Sequence, residues 1–170
     1  MTERKRFPEF ERYGDAIDHL DEINAIIGHI PFFEGFNPSD LAGIARHMHC
    51  YRAPEGAEII REGEAGEFVL LLLEGKIEIL KQSARGVPQR IGIVTAGETV
   101  GEMSLVDGAP RFASCSALEP VKFAVLDRHD LDQIFTSNPQ LGITILSGLL
   151  RLLNQRLRET GKQLVGALMR

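Results

Sequence analysis

Apolar residues near the start of the chain recur at the spacing of one buried helical face. They are Ile17, Leu20, Ile23, Ile26 and Ile27. The pattern predicts a helix over residues 15–30, which Pro31 ends because proline lacks the N–H that a helix interior needs. A second, short helix is predicted from Asn37 to about His47, since Asn37 can cap it and Pro38 suits its first position.

Between about Tyr51 and Leu126 the pattern changes to short β-prone runs, such as AEII, FVLLLL, KIEIL, IGIV and KFAVL. Glycines separate these runs, at Gly56, Gly63, Gly66, Gly75, Gly86, Gly97 and Gly108. Short strands with regular turn signals indicate an antiparallel sandwich or roll. We therefore expect about eight strands in a sheet that closes on itself.

Helical spacing returns after the β-prone region. Asp127 is a suitable cap for a helix ending at Phe135, and Asn138-Pro139 begins a longer helix that we expect to reach Thr160. Leucines on the longer helix alternate steps of four and three, which is the spacing of a seam between two helices. They are Leu146, Leu150, Leu153 and Leu157. The spacing fits a dimer interface and an intramolecular core equally well.

These elements together predict an α+β fold. It is an antiparallel, jelly-roll-like β-roll with N-terminal helices and two C-terminal helices. We divide the chain into an N-terminal helical segment at 1–31, the roll with its C-terminal helices at 32–160, and a C-terminal tail at 161–170.

Composition narrows the classes of function. The 170 residues, 44% of them hydrophobic, are enough for one domain with a sizeable core. With 19 Lys and Arg against 24 Asp and Glu, the net charge of −5 gives no general attraction for nucleic acid or anionic lipid. We therefore expect neither nucleic acid nor a membrane as a partner.

Two cysteines, Cys50 and Cys115, occur without metal-ligand spacing, so we expect buried free thiols and no bound metal. The N-terminus is charged, and the longest apolar run spans only residues 68–73. This pattern argues against a signal peptide and a membrane span, and favours a cytoplasmic protein.

The most informative stretch is GETVGEMSLVDGAPRFASCS, at residues 97–116 between two predicted strands. A short helix predicted over residues 102–106 would present unsatisfied backbone N–H groups, and Gly101 would let an anion approach them closely. Arg111 adds a permanent positive charge and a rigid fork of donors that suits phosphate oxygens. Glu102 would repel such an anion, unless it accepts a hydrogen bond from a hydroxyl of the same ligand, such as a ribose 2′-OH.

This stretch resembles the phosphate-binding cassette of the cyclic-nucleotide-binding family, which includes the catabolite activator protein and the regulatory subunits of cyclic-AMP-dependent kinase. The cassette has the form Gly-Glu-x-Ser/Ala-Leu, a spacer, then Pro-Arg-x-Ala. Here it reads GEMSL at 101–105 and APRFA at 109–113. An earlier GEAGEF at 63–68, followed by LEG at 73–75, also resembles the family's pattern, so the similarity covers roughly residues 32–160.

The resemblance implies a role for each matching residue. Glu102 would bind the ribose 2′-OH, Arg111 the cyclic phosphate, and backbone groups nearby the other phosphate oxygens, while the last long helix would cap the base. The implied ligand-binding residues are Gly101, Glu102, Met103, Ser104, Arg111, Phe112 and Ala113. No catalytic residue, metal or cofactor is implied beyond the nucleotide itself.

Two residues depart from the family's pattern. Val100 stands where an aromatic residue is common, which is a mild packing change. Phe112 stands where many relatives have Ala, Ser or Thr, so the hydroxyl that relatives preferring cyclic GMP use on guanine is missing, and the ring could crowd the base. The resemblance therefore favours cyclic AMP over cyclic GMP.

The predicted function is that of a regulatory sensor domain. No helix-turn-helix unit follows the last helix and no hydrolase or nucleoside-triphosphatase motif is present, so we expect a non-enzymatic domain that acts in trans on an unidentified effector protein. One alternative is a roll that binds no nucleotide and serves only for dimerisation or interaction. A second is a cupin-like metalloenzyme, with His47, His49 and Glu55 as ligands.

Overall fold

The structure is a computed structural model, and it describes residues 7–170. Within these residues there are nine strands: β1 Glu11–Asp15, β2 His49–Ala53, β3 Glu58–Ile60, β4 Phe68–Glu74, β5 Ile77–Gln82, β6 Pro88–Val94, β7 Thr99–Val100, β8 Ser114–Ala117 and β9 Val121–Asp127. The helices are α1 Leu20–Ile26, α2 Pro38–Ala45, α3 Glu102–Asp107, α4 Arg128–Ser137 and α5 Pro139–Leu168, and two short 3-10 helices cover Ala16–His19 and Pro31–Phe33. The predicted α+β class is confirmed.

The strands form two antiparallel sheets that face each other. The first has the order β1-β2-β9-β4-β7 and the second β3-β8-β5-β6, so the roll is not closed into one barrel. Leu70, Leu72 and Phe123 are fully buried between the two sheets. The helices cover the outer face of the first sheet and form a second apolar cluster there.

Strand β4 explains the apolar run that was noted in the sequence. Successive side chains of a strand point to opposite faces. Phe68, Leu70 and Leu72 enter the cluster between the sheets. Val69, Leu71 and Leu73 enter the cluster under the helices. Because both faces of β4 are buried, its sequence shows no polar alternation.

The N-terminal segment corrects the prediction of one helix over residues 15–30. Strand β1 ends at Asp15, the 3-10 helix follows it, and α1 covers only Leu20–Ile26. β1 takes its hydrogen bonds from β2, a partner that lies far along the chain, so local spacing could not reveal it. Gly28 follows close behind the helix end, and Ile30, which precedes Pro31, is extended, so the helix does not continue to Ile30.

The C-terminal helices begin where the sequence placed them. The Asp127 carboxylate accepts a hydrogen bond from the Asp130 N–H at 2.9 Å. The Asn138 side chain accepts one from the Leu141 N–H at 3.2 Å. α5 continues to Leu168, so the expected end at Thr160 is wrong and the segment 161–170, expected to be a tail, is largely helical. The cost of Gly161, about 1 kcal/mol, does not end the helix.

α5 has two apolar faces. One is buried against the helical cluster, through Leu141, Ile145, Leu149 and Leu152. The other carries the predicted seam, where Leu146 is 45% exposed, Leu150 63% and Leu157 70%, while Leu153 is half-buried. The seam is therefore not part of the core of this chain.

Both cysteines are buried free thiols, as expected. Burial raises the pKa of Cys50 to about 11 and that of Cys115 to about 12, so both thiols stay protonated and unreactive at neutral pH. Among residues 7–170, no helix has both the length and the apolar character needed to cross a bilayer.

Candidate ligand-binding site

All seven residues that the sequence singled out line one cavity of about 170 Å³. The cavity lies between α3, the strands of the second sheet and a side chain from α5. Its walls also include residues that the sequence did not mark as ligand-binding, namely Ile60, Ile79, Ile91, Val100, Cys115 and Arg156. Most of these are apolar, so the charged groups of the cavity are concentrated at Glu102, Arg111 and Arg156.

The short helix α3 begins at one wall of the cavity. Its first flanking residue, Gly101, has φ of 97°, a left-handed conformation that only glycine adopts without strain. A Cβ atom at this position would come within 2.8 Å of the Phe68 carbonyl oxygen and of Arg111 Nη1. Within the described chain no side chain caps α3, so the amides of its first turn are not satisfied by a capping group.

Arg111 is 5% exposed and is held by backbone groups of the roll. Its guanidinium donates to the Gly101 carbonyl at 3.0 Å and to the Phe68 carbonyl at 2.9 Å, and it lies 4.3 Å from the centre of the Phe68 ring. The side chain crosses Gly66 so closely that any Cβ there would overlap it. Arg111 therefore lines the cavity and also supports the fold.

Backbone hydrogen bonds join the two sequence motifs at the same point. The Arg111 N–H donates to the Glu64 carbonyl at 2.9 Å, and the Gly63 N–H donates to the Arg111 carbonyl at 2.8 Å. The GEAGEF motif at 63–68 thus contacts and supports Arg111. This contact gives a physical reason for the two motifs to occur together in one sequence.

Glu102 is almost fully buried, at 1% exposure, and its negative charge is balanced by an arginine of α5. One carboxylate oxygen accepts a hydrogen bond from the Thr99 hydroxyl. The other accepts one from Arg156 Nη1 at 2.6 Å, while Arg156 Nη2 donates to the Thr99 carbonyl at 2.6 Å. A buried carboxylate needs such a partner, because an isolated charge would be strongly destabilising there.

The mouth of the cavity is apolar. Ile91 is 55% exposed, Met103 54% and Phe112 57%, although all three line the cavity. The Lys81 ammonium lies 4.4 Å from the centre of the Phe112 ring. Exposed apolar side chains around a cavity are typical of a binding site for a partly apolar molecule.

A larger open depression of about 550 Å³ lies near α1 and α2, between Asn24 and Leu41. Of the described residues that line it, none is Lys or Arg, so they offer no permanent cation for an anionic ligand. We therefore place the candidate site in the smaller cavity, where Arg111 and the start of α3 converge.

The residues of the cupin-like alternative do not form a metal centre in the described part of the chain. His49 Nδ1 lies 2.8 Å from the Asp15 carboxylate and 3.0 Å from Arg12 Nη2. No group of three or more His, Cys, Asp or Glu residues among 7–170 is arranged to hold a metal ion.

Comparison with known proteins gives a consistent match. Residues 51–138 match the family model described as a cyclic nucleotide-binding domain. A crystal structure of a cyclic nucleotide-binding domain from Methylobacillus flagellatus superposes with a TM-score of 0.85 and 35% identity, over 97% of this chain and 93% of that one.

Two curated relatives match only in part of their length. A CRP-like cAMP-activated global transcriptional regulator of Mycobacterium tuberculosis is 29% identical over 85% of this chain, which spans 62% of that protein. A cyclic nucleotide-gated potassium channel of Mesorhizobium japonicum is 29% identical over 76% of this chain, which spans 34% of the channel. The matched segment is thus a part of proteins with quite different outputs.

Proposed function

The chain belongs to the cyclic nucleotide-binding domain family, and on that premise we propose that it is a regulatory sensor of cyclic AMP, favoured over cyclic GMP. The observation that carries the proposal is that Arg111, Glu102 and the uncapped start of α3 converge on one cavity. An anion, a hydroxyl and an apolar group would each find a suitable surface there.

The cyclic phosphate would lie against Arg111 and the first turn of α3. The hydrogen bonds from Arg111 to the Gly101 and Phe68 carbonyls fix the plane of its guanidinium. The positive charge is therefore already in place before the ligand arrives. Such preorganisation avoids the entropy cost of ordering a long side chain on binding. Backbone groups at Gly101, Met103, Ser104 and Ala113 would complete the phosphate site.

The ribose 2′-OH would donate to Glu102. A carboxylate has about four acceptor positions, so it can accept a third donor beside Thr99 and Arg156. Because Arg156 belongs to α5, occupancy of the cavity would change the contacts that hold this helix. That difference in contacts is the free energy by which ligand and helix position are coupled.

The exposed seam of α5 supports the formation of a parallel homodimer. Leu146, Leu150, Leu153 and Leu157 keep the spacing of a two-helix seam, while a different face of the helix packs on its own domain. The same surface on two copies is self-complementary, as a two-fold interface requires. We propose that ligand binding acts through this dimer on an effector protein in trans.

A second function remains supported by a specific observation. Arg156 already neutralises Glu102, and the cavity of about 170 Å³ is smaller than the roughly 300 Å³ at which small-molecule pockets begin. In this alternative Arg156 permanently occupies the place of a ligand. The roll is then an interaction module that binds no nucleotide.

Calorimetric titration with cyclic AMP, cyclic GMP and 5′-AMP separates the two functions. We expect cyclic AMP to bind, and to stabilise the fold by about 2.7 kcal/mol at a hundredfold excess over its Kd. 5′-AMP should bind more weakly, because its open dianionic phosphate does not match the site. If no heat and no melting shift appear with millimolar cyclic AMP or cyclic GMP, the interaction module is the better interpretation.

A further inference from the structure

Phe7, the first residue that the structure describes, packs into the apolar cluster between the two sheets. Its side chain is 5% exposed and makes an edge-to-face contact with the Phe68 ring, with 5.2 Å between the ring centres. The Tyr51 and Phe123 rings also contact it, at 5.1 Å and 5.8 Å. Four aromatic rings thus meet where the N-terminal segment joins the roll.

Phe68 connects this group of rings to the candidate site. Its carbonyl oxygen accepts the hydrogen bond from Arg111 Nη2 at 2.9 Å, and its ring centre lies 4.3 Å from Arg111 Cζ. Both the backbone and the side chain of Phe68 therefore determine where the guanidinium lies. Neither Phe7 nor Phe68 is among the described residues that line the cavity. Phe7 can therefore influence a ligand only through the residues that it supports.

The place of Phe68 in its strand explains why such support matters. Phe68 is the first residue of β4. On one side it pairs with Asp127 of β9, while on the other side, within the described chain, β7 pairs only with Leu70 and Leu71. A strand end that is held from one side is less restrained than the centre of a sheet. Packing of the Phe68 ring, to which Phe7 contributes, supplies the remaining restraint.

The segment that carries Phe7 is itself anchored to the roll. The Phe7 carbonyl accepts a hydrogen bond from the Phe10 N–H at 3.2 Å, and β1 then pairs with β2 from Glu11 to Asp15. Glu11 also accepts a hydrogen bond from Arg52 Nη1 at 3.2 Å. The family model matches residues 51–138, so this segment lies outside the part of the chain that the model describes.

We propose that Phe7 is a positioning residue for the ligand site: it holds Phe68, and Phe68 holds Arg111 in the orientation that meets the phosphate. The inference rests on the proposed function and deepens it, since it makes the affinity for the phosphate depend on the N-terminal segment. A side chain that is ordered before the ligand arrives avoids an entropy cost on binding. Loss of the Phe7 ring should therefore weaken binding, although Phe7 does not touch the ligand.

The main experiment is a double-mutant cycle between Phe7→Ala and Arg111→Lys, with the affinity for cyclic AMP as the readout. With Arg111 present, we expect Phe7→Ala to lower the affinity about fivefold, which corresponds to ordering one long side chain. In Arg111→Lys the planar guanidinium that Phe68 holds is absent, so we expect Phe7→Ala to cost less than about twofold. Additive losses would show that Phe7 does not act through Arg111, and the inference would be wrong.

The Nε–H resonance of Arg111 gives a second readout, in the protein without ligand. The ring current of Phe68 displaces this resonance, because the guanidinium lies close to the ring. Phe7→Ala should move the resonance towards that of a free arginine, since the Phe68 ring loses its support. An unchanged resonance would overturn the inference, because a merely structural loss of stability does not move Arg111 in the folded protein.

Phe10→Ala is the matched control, because Phe10 lies on the same segment and packs on the Phe7 and Phe123 rings. It should lower the melting temperature, but leave the affinity and the Arg111 resonance nearly unchanged. An equal effect of Phe10→Ala and Phe7→Ala on both readouts would assign the effect to general packing and contradict the inference. Phe7→Leu keeps most of the apolar volume, so it replaces Phe7→Ala if that variant does not fold, with smaller effects in the same direction.

The two readouts separate the inference from the proposed function. If cyclic AMP binds the parent protein, and Phe7→Ala changes neither the affinity nor the Arg111 resonance, only the inference is wrong. If no cyclic nucleotide binds the parent protein, the proposed function is wrong. The resonance of the protein without ligand then still decides whether Phe7 positions the guanidinium.

Discussion

The two charged groups of the cavity differ in where their partners come from. Arg111 is held by the Gly101 and Phe68 carbonyls and by the Phe68 ring, all of which belong to the roll. Glu102 is neutralised by Arg156, which lies 54 residues away on α5. In the proposed site, the phosphate half is therefore complete within the roll, while the ribose half depends on a helix. On that proposal, affinity for the phosphate comes from the first half and a conformational signal from the second.

Arg111→Ala should have the largest effect, because it removes a group that serves both fold and ligand. We expect the affinity for cyclic AMP to fall by about 2–5 kcal/mol, as when one partner of a buried charge pair is removed. The melting temperature without ligand should also fall by several degrees, since two carbonyls lose a charged donor. Titration calorimetry and thermal melting measure the two effects separately.

Arg111→Lys is the matched control for this loss. Lysine keeps the positive charge but lacks the planar, forked guanidinium. We therefore expect an affinity between that of the parent protein and that of Arg111→Ala. If Arg111→Ala lowers the melting temperature and leaves nucleotide affinity unchanged, the arginine is purely structural and the phosphate half of the comparison fails.

Arg156→Met should have the next largest effect, and it acts on the ribose half. It leaves the Glu102 carboxylate buried without a cation, at a cost of about 1–2 kcal/mol, reduced because Arg156 is partly exposed. Thermal melting should show a loss of a few degrees. Arg158→Met, on the exposed part of the same helix, should change the melting temperature very little.

A double-mutant cycle with Glu102→Gln measures the coupling directly. We expect the two substitutions together to cost less than the sum of their separate effects, because the neutral amide no longer needs the arginine. Additive effects would show that Glu102 and Arg156 do not depend on each other. Glu102→Gln alone should weaken cyclic AMP more than its 2′-deoxy analogue, which has no hydroxyl to donate.

Leu157→Glu tests whether a second copy of the chain restrains α5, the helix that supplies Arg156 to the site. Leu157 is 70% exposed, so the substitution should leave the folded monomer intact while placing a charge in the seam. Light scattering should give a dimer mass for the parent protein and a monomer mass for the variant. A monomer mass for the parent at high concentration would contradict the dimer, and Gln155→Glu, away from the seam, should leave the mass unchanged.

The smallest effect concerns α4, the helix that connects the roll to α5. Burial, together with the nearby Asp127 carboxylate, raises the pKa of Asp130 to about 6, while His49 and His129 oppose this. The folded protein thus holds the proton more tightly than the unfolded chain, whose Asp pKa is 3.8. The stability from this group is complete below about pH 4 and is lost as the pH rises through 6.

Asp130→Asn should remove this dependence. The backbone N–H that bonds Asp127 is kept, so the helix start remains capped. We expect the variant to melt higher than the parent at pH 7, and to lose most of that advantage at pH 4. A constant difference between the two proteins across this range would show that Asp130 does not titrate as described. Asp132→Asn, an exposed position on the same helix, should show no such trend.

The same contrast explains what the sequence could predict. The proposed phosphate half lies within residues 101–113, where glycine, helix start and arginine follow one another, so a local motif indicated it. Arg156 was missed because α5 carries several arginines at ordinary helical positions, and only the folded chain brings one of them to Glu102. Strand β1 was missed for a similar reason, since its hydrogen bonds come from β2.

Lys81 and Glu62 also lay outside the sequence prediction. Each is an ordinary charged residue on a strand or loop, and they are 19 positions apart. Nothing local marks the ion pair between them or the hydrogen bond from Lys81 to the Phe112 carbonyl. The apolar seam of α5 was visible in the sequence, but its exposure was not. Spacing alone does not distinguish a leucine row that faces a partner from one that faces the roll.

Strand β4 has a consequence for how the protein opens. Its alternate side chains belong to the cluster between the sheets and to the cluster under the helices, so neither cluster can come apart while the other stays intact around β4. The amide protons of Val69, Leu71 and their neighbours should exchange with solvent only through global unfolding, at the slowest rates in the chain. The last turns of α5, exposed on every side, should exchange by fraying. If ligand binding moves α5 as proposed, the motion would occur at an end of the molecule that opens readily, without loosening the strand that holds the domain together.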